Sequence, residues 1–214
     1  MLQDINHIHL NEIITGATLR DDAFDKSDEV KIQEIEYHFT KIMEVLGLNL
    51  DDDSLCDTPK RVAKMYVNEL FSGLNPANKP SISLFENKYG YHRMLLEKNI
   101  TLYSNCEHHF VPIIGKAHVA YIPGNQVIGL SKLNRLVQYY SKRPQVQERL
   151  TNQIGEALME ILQHDDVAVV IEADHLCVAS RGINDTNSQT YTAFYSGKFL
   201  EERFQQEFLA QINK

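Results

Sequence analysis

Apolar residues recur at three- and four-residue steps in two segments near the N-terminus. Over residues 29–46 this spacing predicts a helix, and Gly47 follows it as a stop signal. Thr58 and Pro59 then offer an N-cap and a preset first turn for a second helix, which ends before Gly73. The pattern therefore predicts a helical N-terminal part.

The segments around these helices set the predicted domain organisation. Residues 1–27 show no sustained period and are interpreted as a variable leader. Residues 74–94 carry prolines, a glycine and scattered polar residues, which indicates an irregular connection. The sequence therefore predicts three parts: a leader at 1–27, a helical region at 28–94 and a sheet-containing domain at 95–214.

The period changes to that of strands after residue 94. Residues 99–103 and 117–122 are apolar or alternating at strand length, with glycine and proline near their borders, which predicts an antiparallel pair. Segments 167–178 and 190–196, rich in β-branched and aromatic residues, predict two more strands.

Helical spacing returns between these pairs of strands. Ser131 is placed to cap one helix, and Pro144 to open a longer one whose apolar residues share a stripe at four-residue spacing. Residues 199–212 predict a further amphipathic helix. Strands around a pair of adjacent helices predict an α+β fold with an antiparallel sheet.

The composition is that of a folded globular protein, with 43% hydrophobic and 23% charged residues. The 21 Lys and Arg against 29 Asp and Glu give a net charge of −8, which disfavours a general surface for nucleic acid or an anionic membrane. Neither a membrane-spanning run nor a signal-peptide pattern is found. We therefore expect a cytoplasmic protein in which any anionic ligand meets a local basic cluster.

Three cysteines are a small and odd number for a disulfide framework, so we consider metal binding instead. Cys106 and His109 stand three residues apart, a spacing that lets a turn aim both at one ion. Cys177 lies two residues from His175 in a predicted strand, so both would project from the same face. Cys106, His109 and Cys177 form the two-Cys, one-His set of catalytic zinc sites.

The same residues allow a second interpretation. In a closed structural zinc site, His108 or His175 would supply a fourth ligand and Glu107 would be a solvated loop carboxylate. In an open site, these two histidines are the residue type that takes and returns protons near neutral pH. His118 and the other histidines are interpreted as ordinary core or surface side chains.

Two further groups of residues concern a ligand. Gln147 and Glu148, in the first turns of the predicted long helix, suit the edge of a guanine or pterin ring, although a solvated helix face is the alternative. Basic residues that could converge on phosphate, near Ser131 and its helix N-terminus, are Lys132, Arg135, Arg181, Arg61 and Lys64. Because no glycine-rich phosphate loop is present, side chains would have to hold a nucleotide.

Four motifs in register, spread over about residues 30–182, resemble the GTP cyclohydrolase I family. They are Ser104-x-Cys106-Glu107-His108-His109, Gly129-Leu130-Ser131-Lys132-Leu133-Asn134-Arg135, Arg143-Pro144-Gln145-Val146-Gln147-Glu148-Arg149-Leu150 and His175-x-Cys177-x-x-x-Arg181-Gly182. The segment Thr58-Pro59-x-Arg61-Val62-Ala63-Lys64-Met65 agrees as well.

This resemblance implies a tunnelling fold (T-fold), in which antiparallel sheets of several subunits close a barrel with helices outside. It also implies a toroidal homodecamer with active sites at subunit interfaces. The implied reaction opens the imidazole ring of GTP, releases C8 as formate and recloses the product to 7,8-dihydroneopterin triphosphate. This reaction begins pterin and tetrahydrofolate biosynthesis.

By position, the resemblance also implies roles at the reacting centre. Cys106, His109 and Cys177 would hold zinc, which activates the water that attacks C8. His175 would give a proton to the ring, and His108 would assist proton transfer.

The resemblance implies a second set of residues for the substrate. Glu148 would anchor the guanine edge, helped by Gln147. The sugar and triphosphate would be held by Ser131, Lys132, Arg135 and Arg181, with Arg61 and Lys64 of a neighbouring subunit.

Two rival functions are open on the residues alone. A base or nucleoside deaminase also uses a His/Cys/Cys zinc, but its H-x-E and P-C-x-x-C signatures are missing here. A non-enzymatic purine-binding or zinc-stabilised scaffold would share the fold, but the chain keeps every expected ligand and both histidines. Formate and pterin formation, ammonia release, or no turnover of GTP separates the three.

Overall fold

The computed structural model describes residues 19–214, so most of the predicted leader at 1–27 lies outside the described residues. Helix α1 runs over Asp28–Val45, and the Ser27 hydroxyl caps it by accepting from the Val30 N–H at 3.4 Å. Gly47 follows with φ +77°, a conformation that glycine adopts without steric cost. The predicted first helix and its stop are confirmed.

Helix α2 covers Thr58–Met65 and continues as a π-helical turn over Tyr66–Leu70. Its N-cap is Asp57, so the prediction of Thr58 as the cap is wrong by one residue. Proline is tolerated throughout the first turn, where N–H groups have no partner in the helix, so Pro59 allows this earlier start.

The connection predicted as irregular contains regular structure. Short 3₁₀ turns occupy Ser72–Leu74 and Pro76–Asn78. Strand β1, Leu84–Glu86, pairs antiparallel with β4, Gln126–Ile128. Its partner lies about 40 residues further along the chain, a pairing that local composition does not signal.

A five-stranded sheet forms the centre of the molecule, in the order β5-β2-β3-β6-β7. All its pairs are antiparallel except β2 with β5. The strands are β2 (Leu95–Cys106), β3 (Pro112–Tyr121), β5 (Pro144–Gln145), β6 (Val167–His175) and β7 (Thr190–Tyr195).

Helices α3 (Leu130–Ser141) and α4 (Gln147–Leu162) pack against one face of this sheet. The predicted stripe on α4 is buried there, including Leu150, Ile154 and Leu158. The other face carries a smaller apolar cluster with the C-terminal helix, which spans Glu202–Ile212. The predicted α+β fold, with an antiparallel sheet, paired helices and an N-terminal helical region, is confirmed.

Three further predicted element boundaries are wrong. Ser131 lies inside α3, whose N-cap is Gly129. Pro144 does not open α4, because residues 144–145 form β5 beside the end of β2 and the helix starts at Gln147. Strand β6 ends at His175, and Leu176–Ala179 form a helical turn, here called α5.

The helical region is joined to the sheet domain at Gly73. Its N–H donates to the Lys142 carbonyl at 2.9 Å, and its carbonyl accepts from Arg143 Nε at 2.8 Å. The buried Arg143 guanidinium also stacks on the rings of Tyr139 and Tyr140, with 4.6 and 4.7 Å to the centroids. The division into parts at 28–94 and 95–214 itself stays a prediction.

Within residues 19–214, no helix is both long enough and apolar enough to cross a membrane.

Candidate active site

Cys106, His109 and Cys177 meet at one end of the sheet. One ligand atom from each side chain lies within 4.8 Å of the others. Cys106 is buried at the end of β2, Cys177 is half-buried and His109 is exposed, so the cluster opens to solvent on the histidine side. The three donors predicted from sequence are therefore close enough to bind one ion.

A tight loop after β2 places His109 beside Cys106. The Cys106 N–H donates to the Val111 carbonyl at 2.9 Å, and the Phe110 N–H donates to the Cys106 carbonyl at 2.8 Å. Phe110 takes φ +55°, an uncommon conformation for a residue with a side chain, and its ring packs on Phe71 at 5.0 Å. This loop brings His109 Nδ1 to 3.9 Å from Cys106 Sγ.

Cys177 reaches the cluster in a different way from that predicted. Because it lies in the helical turn α5, alternation along a strand does not place it on the same face as His175. The pKa of the Cys177 thiol is raised, first by burial and then by its contact with Cys106.

The residues fit a zinc ion by the chemistry of their donors. Two thiols and one imidazole are the ligands that zinc takes in catalytic sites that keep a fourth position open. Cys106 ends β2, His109 lies in the loop that follows it, and Cys177 lies in α5 directly after β6.

The two histidines next to these donors have different surroundings. His108 is exposed, and its Nδ1 lies 3.7 Å from Cys106 Sγ. His175 is half-buried, and its Nε2 lies 2.8 Å from Gln147 Oε1. Burial lowers the pKa of His175, an effect that the charges of Glu148 and Asp174 oppose.

Gln147 and Glu148 begin helix α4 beside His175. Glu148 is exposed and free to meet a ligand from solvent. Gln147 is 1% exposed, and its amide is bonded to His175 and to strands β6 and β7. A direct hydrogen bond from this amide to a guanine edge would require these contacts to break.

Glu107 forms an ion pair that sequence reasoning missed. Its carboxylate pairs with the Arg149 guanidinium on the first turn of α4. Arg149 also donates to the Gln145 side chain at 3.1 Å and to the Pro144 carbonyl at 3.2 Å. The alternative of a solvated Glu107 carboxylate is therefore wrong. The two residues lie far apart in sequence, and no local pattern links them.

The basic residues predicted for phosphate fall into two groups. Arg181 is joined to the cluster, with its Nη1 2.8 Å from His109 Nε2. Ser131, Lys132 and Arg135 lie on the first turns of α3, with Ser131 and Arg135 exposed.

Arg61 and Lys64 lie on α2, and both are exposed. Arg61 Nη2 is 3.5 Å from the Asp57 carboxylate on the same helix. Among residues 19–214, neither side chain hydrogen bonds or pairs with the Cys/His cluster of the same chain. Their predicted contribution to a neighbouring subunit's site stays a prediction.

Other cysteine and histidine residues lie apart from the cluster. Cys56 is an exposed thiol, and His118 is buried at 2% exposure in the middle of β3. His7 and His9 lie outside the described residues.

Comparison with known proteins gives extensive matches. The family model described as GTP cyclohydrolase I matches residues 35–213. GTP cyclohydrolase 1 of Flavobacterium johnsoniae is 58% identical over 194 residues, which cover 91% of this chain and 87% of the relative. GTP cyclohydrolase 1 of Erwinia tasmaniensis is 52% identical over 213 residues, which cover 98% and 96%.

A solved structure of dihydroneopterin aldolase from Burkholderia thailendensis, bound to guanine, also matches. Its TM-score is 0.34 at 16% identity, over 50% of this chain and 93% of the aldolase chain. This similarity is too low to support an inference about fold or ligand.

Proposed function

This chain belongs to the GTP cyclohydrolase I family of enzymes, and we propose that it opens the imidazole ring of GTP in a zinc-dependent hydrolysis. C8 leaves as formate, and the remaining atoms reclose to 7,8-dihydroneopterin triphosphate, the first step of pterin and tetrahydrofolate biosynthesis. The observation that carries this proposal is the meeting of Cys106, His109 and Cys177 within 4.8 Å, next to His175.

Zinc would be held by Cys106, His109 and Cys177. When bound, it supplies the Lewis acidity that makes a water molecule nucleophilic near neutral pH. The buried Cys106 and the half-buried Cys177 limit access from the sheet side, so substrate has to approach from the side of His109.

His175 and His108 would move the protons. Ring opening requires a proton on the departing ring nitrogen, and His175 would give it. His108 is exposed beside Cys106, where it can exchange protons between the site and solvent. Burial lowers the pKa of His175, so its protonated ring gives up a proton more readily.

Glu148 would recognise guanine. Its carboxylate can accept from N1–H and from the exocyclic amine, whereas adenine presents an acceptor at N1. Glu148 follows Gln147, whose side chain contacts His175, so a guanine bound by Glu148 would lie near the proton-transfer group.

The triphosphate and sugar would be held by side chains. Arg181 lies beside His109, while Ser131, Lys132 and Arg135 line the start of α3, where the helix dipole favours anions. Arg61 and Lys64 would reach in from a neighbouring subunit of a homodecamer. This arrangement accounts for a GTP site on a chain of net charge −8.

Incubation of the zinc-loaded protein with GTP tests the proposal. We expect stoichiometric formate and, after oxidation, pterin fluorescence, and neither with the Cys177→Ala variant. Ammonia release without formate would instead support a deaminase, and tight GTP binding without product would support a non-catalytic scaffold.

A further inference from the structure

Gln147 is surrounded by groups that fix the orientation of its side-chain amide. Its Nε2 lies 3.0 Å from the carbonyl oxygens of both Ile171 and Thr190, and 3.1 Å from Thr192 Oγ1. The two carbonyl oxygens can only accept, so the atom that faces them must be the NH₂ group. Gln147 Oε1 is thereby turned to His175.

The hydroxyl groups next to this amide also have defined directions. Thr151 Oγ1 donates its proton to the main-chain carbonyl oxygen of Gln147 at 2.8 Å. The 2.7 Å contact between Thr151 and Thr192 therefore uses the Thr192 proton. Thr192 Oγ1 is then left to accept from Gln147 Nε2. The two protons of Gln147 Nε2 face three acceptors, so one of them is shared. A flipped amide would turn Oε1 onto two carbonyl oxygens, and this buried network would break.

We propose that Gln147 is a positioning residue that holds the proton of His175 on Nε2, so that Nδ1 is the atom that exchanges a proton during the reaction. Gln147 Oε1 is an acceptor only, and it lies 2.8 Å from His175 Nε2. Nε2 therefore carries a proton in both the neutral and the charged ring. This inference rests on the proposed role of His175, and it gives Gln147 a role other than a direct contact with guanine.

Solid-state ¹⁵N NMR of the zinc-loaded protein, labelled at histidine, tests the tautomer without turnover. The His175 signals are assigned by their loss in His175→Gln. We expect a protonated Nε2 and an unprotonated Nδ1 in the neutral ring. A protonated Nδ1 with a bare Nε2 would overturn the proposal even if the protein releases formate from GTP. If His175 carries its proton on Nε2 but the protein does not turn over GTP, the tautomer assignment is supported and the proposed function is refuted.

Kinetics of Gln147→Met separate positioning from substrate binding. We expect kcat for formate release to fall about 10- to 100-fold with KM changed less than about threefold, because the proton-transfer group loses its orientation and the substrate contacts remain. Zinc content should be unchanged. Gln138→Met is the matched control and should keep the parent kcat. Gln138 lies on α3, and the substitution removes a side-chain amide that donates to the Thr101 carbonyl. A raised KM at unchanged kcat would mean that Gln147 binds substrate directly.

Thr192 supplies a milder perturbation of the same network. Thr192→Val removes the hydroxyl that accepts from Gln147, and Thr192→Ser keeps it. We expect a lower kcat for the valine variant and recovery for the serine variant. Equal rates in both would contradict the part of Thr192 in positioning.

Discussion

Arg149, on the first turn of α4, holds Glu107 in the loop between two proposed zinc ligands. The side chains are 20% and 28% exposed, so this ion pair is more shielded from water than the pairs on the surface. Glu107 is adjacent to Cys106, and its N–H donates to the Gln145 carbonyl at 3.0 Å. An ion pair and a main-chain hydrogen bond therefore join the loop after β2 to the start of α4 and to the residues just before it.

Breaking this pair should weaken the metal site. In Arg149→Met the Glu107 carboxylate loses its cation, so we expect zinc affinity to fall about 10- to 100-fold, as for other residues that support metal ligands. Competition with a chromophoric chelator measures this. Arg203→Met, which breaks an exposed pair with Glu201, is the control and should bind zinc like the parent. Unchanged zinc affinity in Arg149→Met would show that the loop after β2 keeps its conformation without the ion pair.

Removal of either thiol should abolish zinc retention. We expect Cys106→Ala and Cys177→Ala to lose stoichiometric zinc and formate release, since a Cys₂His site with one thiol missing has two ligands left. Most of the apolar core lies elsewhere, so the variants should still fold. Cys56→Ala, at an exposed thiol outside the cluster, should retain both properties. Full zinc content in a purified Cys177→Ala protein would refute the ligand assignment.

Glu148→Ala should weaken GTP binding without affecting zinc. An unpaired, partly desolvated guanine edge costs about 1–3 kcal/mol, which corresponds to about tenfold or more in Kd. Glu148→Gln should recover part of the loss, because it keeps one acceptor oxygen. Calorimetric titration in a His175→Ala background measures binding without turnover. Glu160→Ala, at an exposed position on the same helix, is the control.

The stability of the fold should depend on pH through His118. Both ring nitrogens are buried without a hydrogen-bond partner, and burial lowers the pKa, opposed by Glu172 and assisted by Lys116 and Lys98. The unfolded chain, with a histidine pKa near 6.5, then binds the proton more readily than the folded one. The contribution of neutral His118 to the free energy of unfolding is therefore complete above about pH 6.5. It is lost as the pH falls from there through the lowered pKa of the folded state, by at most about 1.4 kcal/mol per pH unit.

Urea unfolding between pH 7.5 and 5 at one protein concentration tests this dependence. His118→Leu should show a shallower loss of stability in acid than the parent. His38→Gln, at an exposed position, should keep the parent slope. An identical slope in His118→Leu would assign the acid sensitivity to other groups.

Gly73→Ala should loosen the joint between the helical region and the sheet domain. A Cβ at this position would lie 2.0 Å from the Tyr139 carbonyl oxygen and 2.8 Å from that of Lys142. Because backbone has to move, we expect a loss of at least about 2 kcal/mol in the free energy of unfolding. Gly124→Ala, whose Cβ would meet only His164 at 3.8 Å, should change it by less than about 0.5 kcal/mol. Equal urea midpoints for the two variants would contradict this.

Periodicity identified the helices and strands because each buries a face that its own sequence displays. It failed where the deciding partner is distant. Residues 144–145 form a strand because they lie beside Asn105 and Cys106, and the proline otherwise signals a helix start. Likewise, β6 ends at His175 although its apolar character continues into α5.

The site divides in the same way. Cys106, His109 and Cys177 could be found from residue type and spacing, because zinc accepts few kinds of donor. The Glu107–Arg149 pair and the bonds of Gln147 to β6 and β7 could not, because they join segments whose closeness depends on the folded sheet.

The order of the strands also determines when the site can exist during folding. Cys106 ends β2 and Cys177 follows β6, and β3 lies between these two strands in the sheet. The thiols come together only after both antiparallel pairings have formed in register, since a slip of one residue would move a donor by about 3.3 Å. We therefore expect uptake of the proposed zinc by a refolding chain to be a late event that reports a completed three-strand core, and a zinc-sensitive dye can time it.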